Sequence, residues 1–168
     1  MKTKITLLIL SLMTAVGLRA ADALVTDKVH VTAAVTTDHR DPKGSPKEIV
    51  DKKLQIRLTN HTAEPMTDLE VKVTFFARDL TADRDVIEKT LKIKASVPPR
   101  RDAAVNTDAV TFTHTPDHGV PVKGRRGRVT SKRVPAAGHR YAGYAIVVTN
   151  KTVVVGESYS APKFRKSK

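Results

Sequence analysis

Cysteine is absent from this chain, and so is tryptophan. The first absence excludes disulfide frameworks, thiolate catalysis and cysteine zinc sites. The second leaves only four Phe and three Tyr. Sugar-binding modules and single-strand nucleic-acid binders stack their ligands on such rings, so both functions are disfavoured. The chain also lacks a G-x-S-x-G elbow, an H-E-x-x-H pair, a phosphate-binding glycine loop and a dinucleotide fingerprint. The expectation is a protein that is not an enzyme, with no catalytic residue, no metal and no cofactor. Acid is in short supply too: 17 Asp and Glu stand against 30 Lys and Arg, a net charge of +13. A field of that sign attracts polyanions and acidic partners.

What is present begins with an N-terminal leader pattern. Lys2 and Lys4 precede an uncharged run from Ile5 to Leu18, and small residues (Gly17, Ala20, Ala21, Ala23) follow it. This order matches a secretory signal peptide. The run holds 14 residues, short of the ~20 that a spanning helix needs. Residues 1–20 are therefore expected to be a leader, with cleavage between 17 and 23, and no transmembrane segment is expected in the mature protein. Loss of Lys2, Lys4 and Arg19 lowers the net charge to +10. The expected location is periplasm, outer-membrane surface or extracellular space, which makes a nucleic-acid partner unlikely.

Residues 21–160 read as strands. Val29, Val31, Ala33 and Val35 alternate with polar or small residues, as do Leu54, Ile56 and Leu58, and then Leu69, Val71, Val73 and Phe75. Such period-two patterning marks sheets with one wet face. Ile87, Leu91 and Ile93 are expected to face inward on a fourth strand, and Val110 and Phe112 mark a fifth. Tyr141–Thr149 and Thr152–Ser160 complete the set, joined by a tight turn at Asn150-Lys151. Thr37–Lys47 and Thr115–Pro135 are expected to be loops, and residues 161–168 a mobile basic tail. About seven short strands of this kind predict an all-β, immunoglobulin-like two-sheet sandwich.

Two stretches carry a resemblance. Leu58-Thr59-Asn60 followed by Leu69-Glu70-Val71-Lys72-Val73-Thr74-Phe75-Phe76-Ala77-Arg78-Asp79 is similar to bacterial exported FxLYD-type and fibronectin-III-like sandwich domains. Phe75 and Asp79 match the ends of that motif, while Ala77 and Arg78 stand where it has Leu and Tyr. Gly138-His139-Arg140-Tyr141, leading into Tyr144, resembles the tyrosine-corner entry to a sandwich strand. The resemblance implies a structural or interaction module, of a form similar to pilus-associated and surface-assembly subunits. Self-association or a protein partner is the expectation that follows.

The most distinctive chemistry is basic. No acid occurs from His118 to Gly156, and Lys123, Arg125, Arg126, Arg128, Lys132 and Arg133 cluster there. Guanidinium forks match carboxylate, sulfate and phosphate groups. The cluster is the candidate anion- or partner-binding site, with anionic glycan or lipopolysaccharide as the alternative ligand. Conversely, Glu64, Asp68, Glu70, Asp79, Asp83, Asp85 and Glu88 make an acid-rich stretch. An acidic end and a basic end on one chain would allow head-to-tail association. His114, Asp117 and His118 have the side chains of a metal site but not its spacing, because Pro116 interrupts them. Asn60-His61-Thr62 and Asn150-Lys151-Thr152 fit the N-glycosylation pattern.

Overall fold

The computed structural model describes residues 28–123 and 129–166. The expected leader lies outside the described residues. Ten strands follow one another: β1 (Val29–Arg40), β2 (Glu48–Asn60), β3 (Met66–Asp79), β4 (Arg84–Val97), β5 (Asp102–Asn106), β6 (Val110–Thr115), β7 (His118–Lys123), β8 (Val129–Val134), β9 (Ala137–Asn150) and β10 (Val153–Tyr159). A short 3-10 turn, Pro162–Lys166, is the last described element.

All the pairings are antiparallel. β2 pairs with β1 on one side and with β5 and β6 on the other. β3 pairs with β4 and β9, and β9 with β10. The two layers meet where His114 and Thr115 pair with Gly138 and Ala137. β5 and β6 together fill one strand position along β2. At the break between them, Thr107 accepts the Leu54 N–H through its hydroxyl (2.9 Å) and donates its own N–H to the Leu54 carbonyl (3.0 Å). Buried backbone groups are thus satisfied where the ladder stops. Seven strand positions result, and the all-β two-layer sandwich expected from the alternation is the observed fold.

Inward residues of the two layers form one core. Leu54, Ile56 and Leu58 from β2 meet Leu69, Val71, Val73 and Phe75 from β3, with Phe112, Ile146 and Val148 between them. Each large side chain buried this way contributes roughly 1.5–3 kcal/mol relative to exposure. The layers close tightly at β1 and β10: a Cβ on Gly156 would lie 2.3 Å from the Val29 carbonyl oxygen. Asn60 is 1 % exposed. Its amide nitrogen donates to the Glu64 carbonyl (2.8 Å) and the Pro98 carbonyl (3.2 Å), and its oxygen accepts the Thr62 N–H (2.9 Å). It is a buried clasp between two loops, so its amide is not presented as a glycosylation acceptor.

Five expectations need correction. Ile87 faces solvent at 61 % exposure, and Val86 packs inward instead. A bulge lies between the pairs Phe75↔Lys89 and Phe76↔Ile87, and one extra residue reverses the facing of everything beyond it. β1 runs on to Arg40, paired with β2 throughout, where a loop from Thr37 was expected. The segment 115–135 is no loop but contains β7 and β8, a separate two-stranded hairpin. The segment 162–166 is folded, because Phe164 stacks on Phe76 at 4.3 Å on the outer face of β3 and β9. The turn between β9 and β10 is Lys151-Thr152, with Lys151 rather than Asn150 at positive φ (55°).

Candidate interaction site

The β7–β8 hairpin is inserted between β6 and β9. Its six pairs run from His118↔Val134 at the base to Lys123↔Val129. Only the two base residues are half-buried; every other residue is exposed, so the hairpin is wet on both faces. Residues directly opposite share a face. Val120, Val122, Thr130 and Lys132 therefore lie on one side, and Pro121, Lys123, Val129, Ser131 and Arg133 on the other. An isolated two-stranded hairpin is marginal in water, and this one is clamped at its base. Arg133 Nε donates to Asp117 Oδ2 at 2.6 Å, and Arg133 Nη2 contacts the same oxygen. That hydrogen bond holds the Asp117 carboxyl below the usual range. His118 Nδ1 lies 3.0 Å from the Pro116 carbonyl.

The sequence-predicted cluster thus divides. Lys123 and Lys132 are exposed and make no ion pair among the described residues. Arg133 is accessible, yet its guanidinium is already engaged by Asp117. Arg125, Arg126 and Arg128 lie outside the described residues; in sequence they sit on the five residues joining β7 to β8.

The acid-rich stretch is not a free acidic surface. Asp83 and Asp85 bind Arg78 at 2.6 and 3.5 Å, and Asp85 also accepts Lys163 at 2.6 Å. Hydrogen bonding by Lys163 holds the Asp85 carboxyl low. Asp79 accepts the Thr81 and Ala82 N–H groups of its own turn. Glu70 pairs with Lys92 at 3.0 Å, and Glu88 with His139 at 2.7 Å. Five of the seven acids thus have partners inside the fold, and three of them (Glu70, Asp83 and Asp85) are paired with Lys or Arg.

The histidine and carboxylate group does not converge either. His114 is buried with Nε2 3.2 Å from Glu48, while Asp117 is held by Arg133. No group of three metal-ligating side chains occurs among the described residues. The aromatic rings are likewise occupied. Phe75 and Phe112 are core, Phe76 and Phe164 cover each other, and Tyr141 packs edge-on against Phe112 at 5.2 Å. Neither the Tyr141 nor the Tyr144 hydroxyl, the two candidates for a tyrosine corner, makes a hydrogen bond among the described residues, so that geometry is not reproduced. Burial pushes the Tyr141 phenol up to about 12. No helix among the described residues is long and apolar enough to cross a membrane.

No protein-family model matches the chain, and no curated protein matches it. Among solved structures it is similar to Northeast Structural Genomics Consortium target SoR45, at 10 % identity and a TM-score of 0.31, over 63 % of this chain and 83 % of that one. It is also similar to a protein of Akkermansia muciniphila, at 14 % identity and a TM-score of 0.31, over 83 % of this chain and 76 % of that one. Similarity at that score bears on neither fold nor function.

Proposed function

We propose that this protein is a non-catalytic, exported interaction module of a cell-surface or periplasmic assembly, and that the β7–β8 hairpin is its docking arm. The observation that carries the reading is the arm itself: a clamped hairpin, exposed on both faces, bearing unpaired cations and standing apart from the sandwich ladders. A module needs rigidity to present a contact and an unsatisfied edge to make one. The sandwich supplies the first and the arm the second. Pilus-like assembly remains the form suggested by the sequence resemblance.

Cell fractionation tests this directly. Mature protein recovered with sheared surface filaments or outer membrane supports the assembly role. Recovery solely as free periplasmic protein defeats it.

The unpaired state of Lys123 and Lys132 favours a second reading, in which the arm binds an anionic glycan or lipopolysaccharide by charge. Replacing Arg125, Arg126 and Arg128 together with Ser then abolishes retention on a heparin-like polymer, and retention of the wild type weakens steeply with salt. Unchanged retention of the triple variant removes this reading.

A further inference from the structure

Proline 121 gives the arm a direction. Proline has no N–H to place in a ladder, so within a hairpin its nitrogen faces the outer edge. Pro121 is opposite Ser131. In an antiparallel ladder, pairs that bond each other alternate with pairs whose N–H and C=O groups point away. The Pro121–Ser131 pair belongs to the second kind. The neighbouring Val122–Thr130 pair belongs to the first, and there the Thr130 hydroxyl also donates to the Val122 carbonyl at 3.3 Å. It follows that the outer edge of β7 lacks a donor at its centre. The outer edge of β8 turns the N–H groups of Val129, Ser131 and Arg133 outward, spaced as a strand requires.

We infer that β8 is a one-sided docking edge that pairs, strand to strand, with an extended acidic segment of a protein partner. This inference rests on the arm being the docking element. Charge selects the acid. Lys132 lies on one face of β8 itself and Lys123, on β7 opposite Val129, on the other face of the hairpin, and no acid lies between His118 and Gly156 in sequence. A second copy of the arm brings the same cations alongside and is repelled. The acids of a second sandwich are mostly spent on their own partners. Stacked ligands are disfavoured, since no Phe, Tyr or Trp lies between Thr113 and Arg140. Backbone pairing supplies affinity in this mode and alternate side chains supply selectivity. Val129, 64 % exposed, offers an apolar contact beside the cations, so the matching segment alternates acidic and β-branched residues.

The test uses the full mature chain and three probes: an alternating Glu-Val peptide, polyglutamate of equal charge, and a heparin-like polymer. The peptide is expected to bind at least tenfold more tightly than polyglutamate. Ser131→Pro removes one outward N–H without touching a β7–β8 ladder bond. It is expected to weaken the peptide at least tenfold while leaving heparin retention unchanged. Amide-exchange protection of Val120 and Lys132 in the same sample reports whether the arm stays closed. If it opens, Val129→Pro makes the same test at the next outward amide. Equal binding of polyglutamate and peptide, no peptide binding, or an unweakened proline variant with a closed arm would each overturn the inference. Peptide binding can fail while fractionation still places the protein in a surface assembly; the interaction-module reading then survives without this edge.

Discussion

The sandwich and the arm are made of the same element, an antiparallel strand pair, and are held together by opposite means. In β3 and β9 the strands are covered: Val71, Val73, Ile146 and Val148 have no exposed surface, and the flanking strands satisfy the backbone. In β7 and β8 Val120, Val122 and Val129 are exposed, and neither outer edge is paired with another strand among the described residues. The sandwich derives its stability from buried area. The arm relies on its own ladder and one clamp at Asp117 and Arg133. Strand pairing alone therefore specifies shape, whereas packing specifies permanence.

Several measurements break or sharpen that contrast. Phe112→Ala empties a fully buried position and is expected to cost about 3–5 kcal/mol by urea unfolding, whereas Val122→Ala in the arm is expected to stay within about 0.5 kcal/mol. Equal losses at the two sites would mean that the arm is part of the cooperative unit. Gly156→Ala drives a methyl group into the Val29 carbonyl and is expected to cost about 1–3 kcal/mol as overpacking. Asn60→Ala strips partners from buried carbonyls and is expected to fall in a similar range, about 1–3 kcal/mol.

Titration separates the regions more gently. The Asp79 and Asp85 carboxyls are lowered in the fold. Their stabilisation is present above the unfolded value near ~3.9 and is lost as pH falls through the folded values. The Tyr141 phenol is raised to about 12. Its contribution is present below the unfolded value near ~10 and is lost as pH rises toward the folded one. Unfolding midpoints should therefore hold level at intermediate pH and fall at both extremes. A Tyr141→Phe variant should keep the acid limb and reduce the alkaline one, leaving the part carried by Tyr159, whose phenol burial also raises to about 12. The smallest effect belongs to Asp117→Asn, which releases Arg133. The urea midpoint should not move, while amide exchange within β7–β8 accelerates; a shifted midpoint would tie the clamp to the core.

The contrast also explains what could be read from sequence. Alternation is the imprint of burial, so the strands around Ile56, Val71 and Ile146 were legible, and with them the two-sheet fold. Where burial is absent the imprint fades. Val120-Pro121-Val122 is bracketed by Gly119 and a glycine-arginine run, and it has the composition of a turn although it is a strand. The candidate cations were found by charge alone, but that signal could not separate the free Lys132 from its engaged neighbour Arg133, since the pairing depends on Asp117 lying 16 residues away across the hairpin. Phe164 was missed for a related reason. A single aromatic in a basic tail has no period, and its partner Phe76 was hidden beside the core-facing Phe75. The bulge that exposes Ile87 leaves no local mark either, because its cause is register with β3.

The pairing of His114 with Gly138 and of Thr115 with Ala137 has one more consequence. The chain departs from the sandwich and rejoins it at adjacent points, so the core senses the insertion only as a loop to be closed. Doubling such a loop costs only about 0.6 kcal/mol. The appendage can therefore be lengthened or removed while the host domain keeps its core and its register intact.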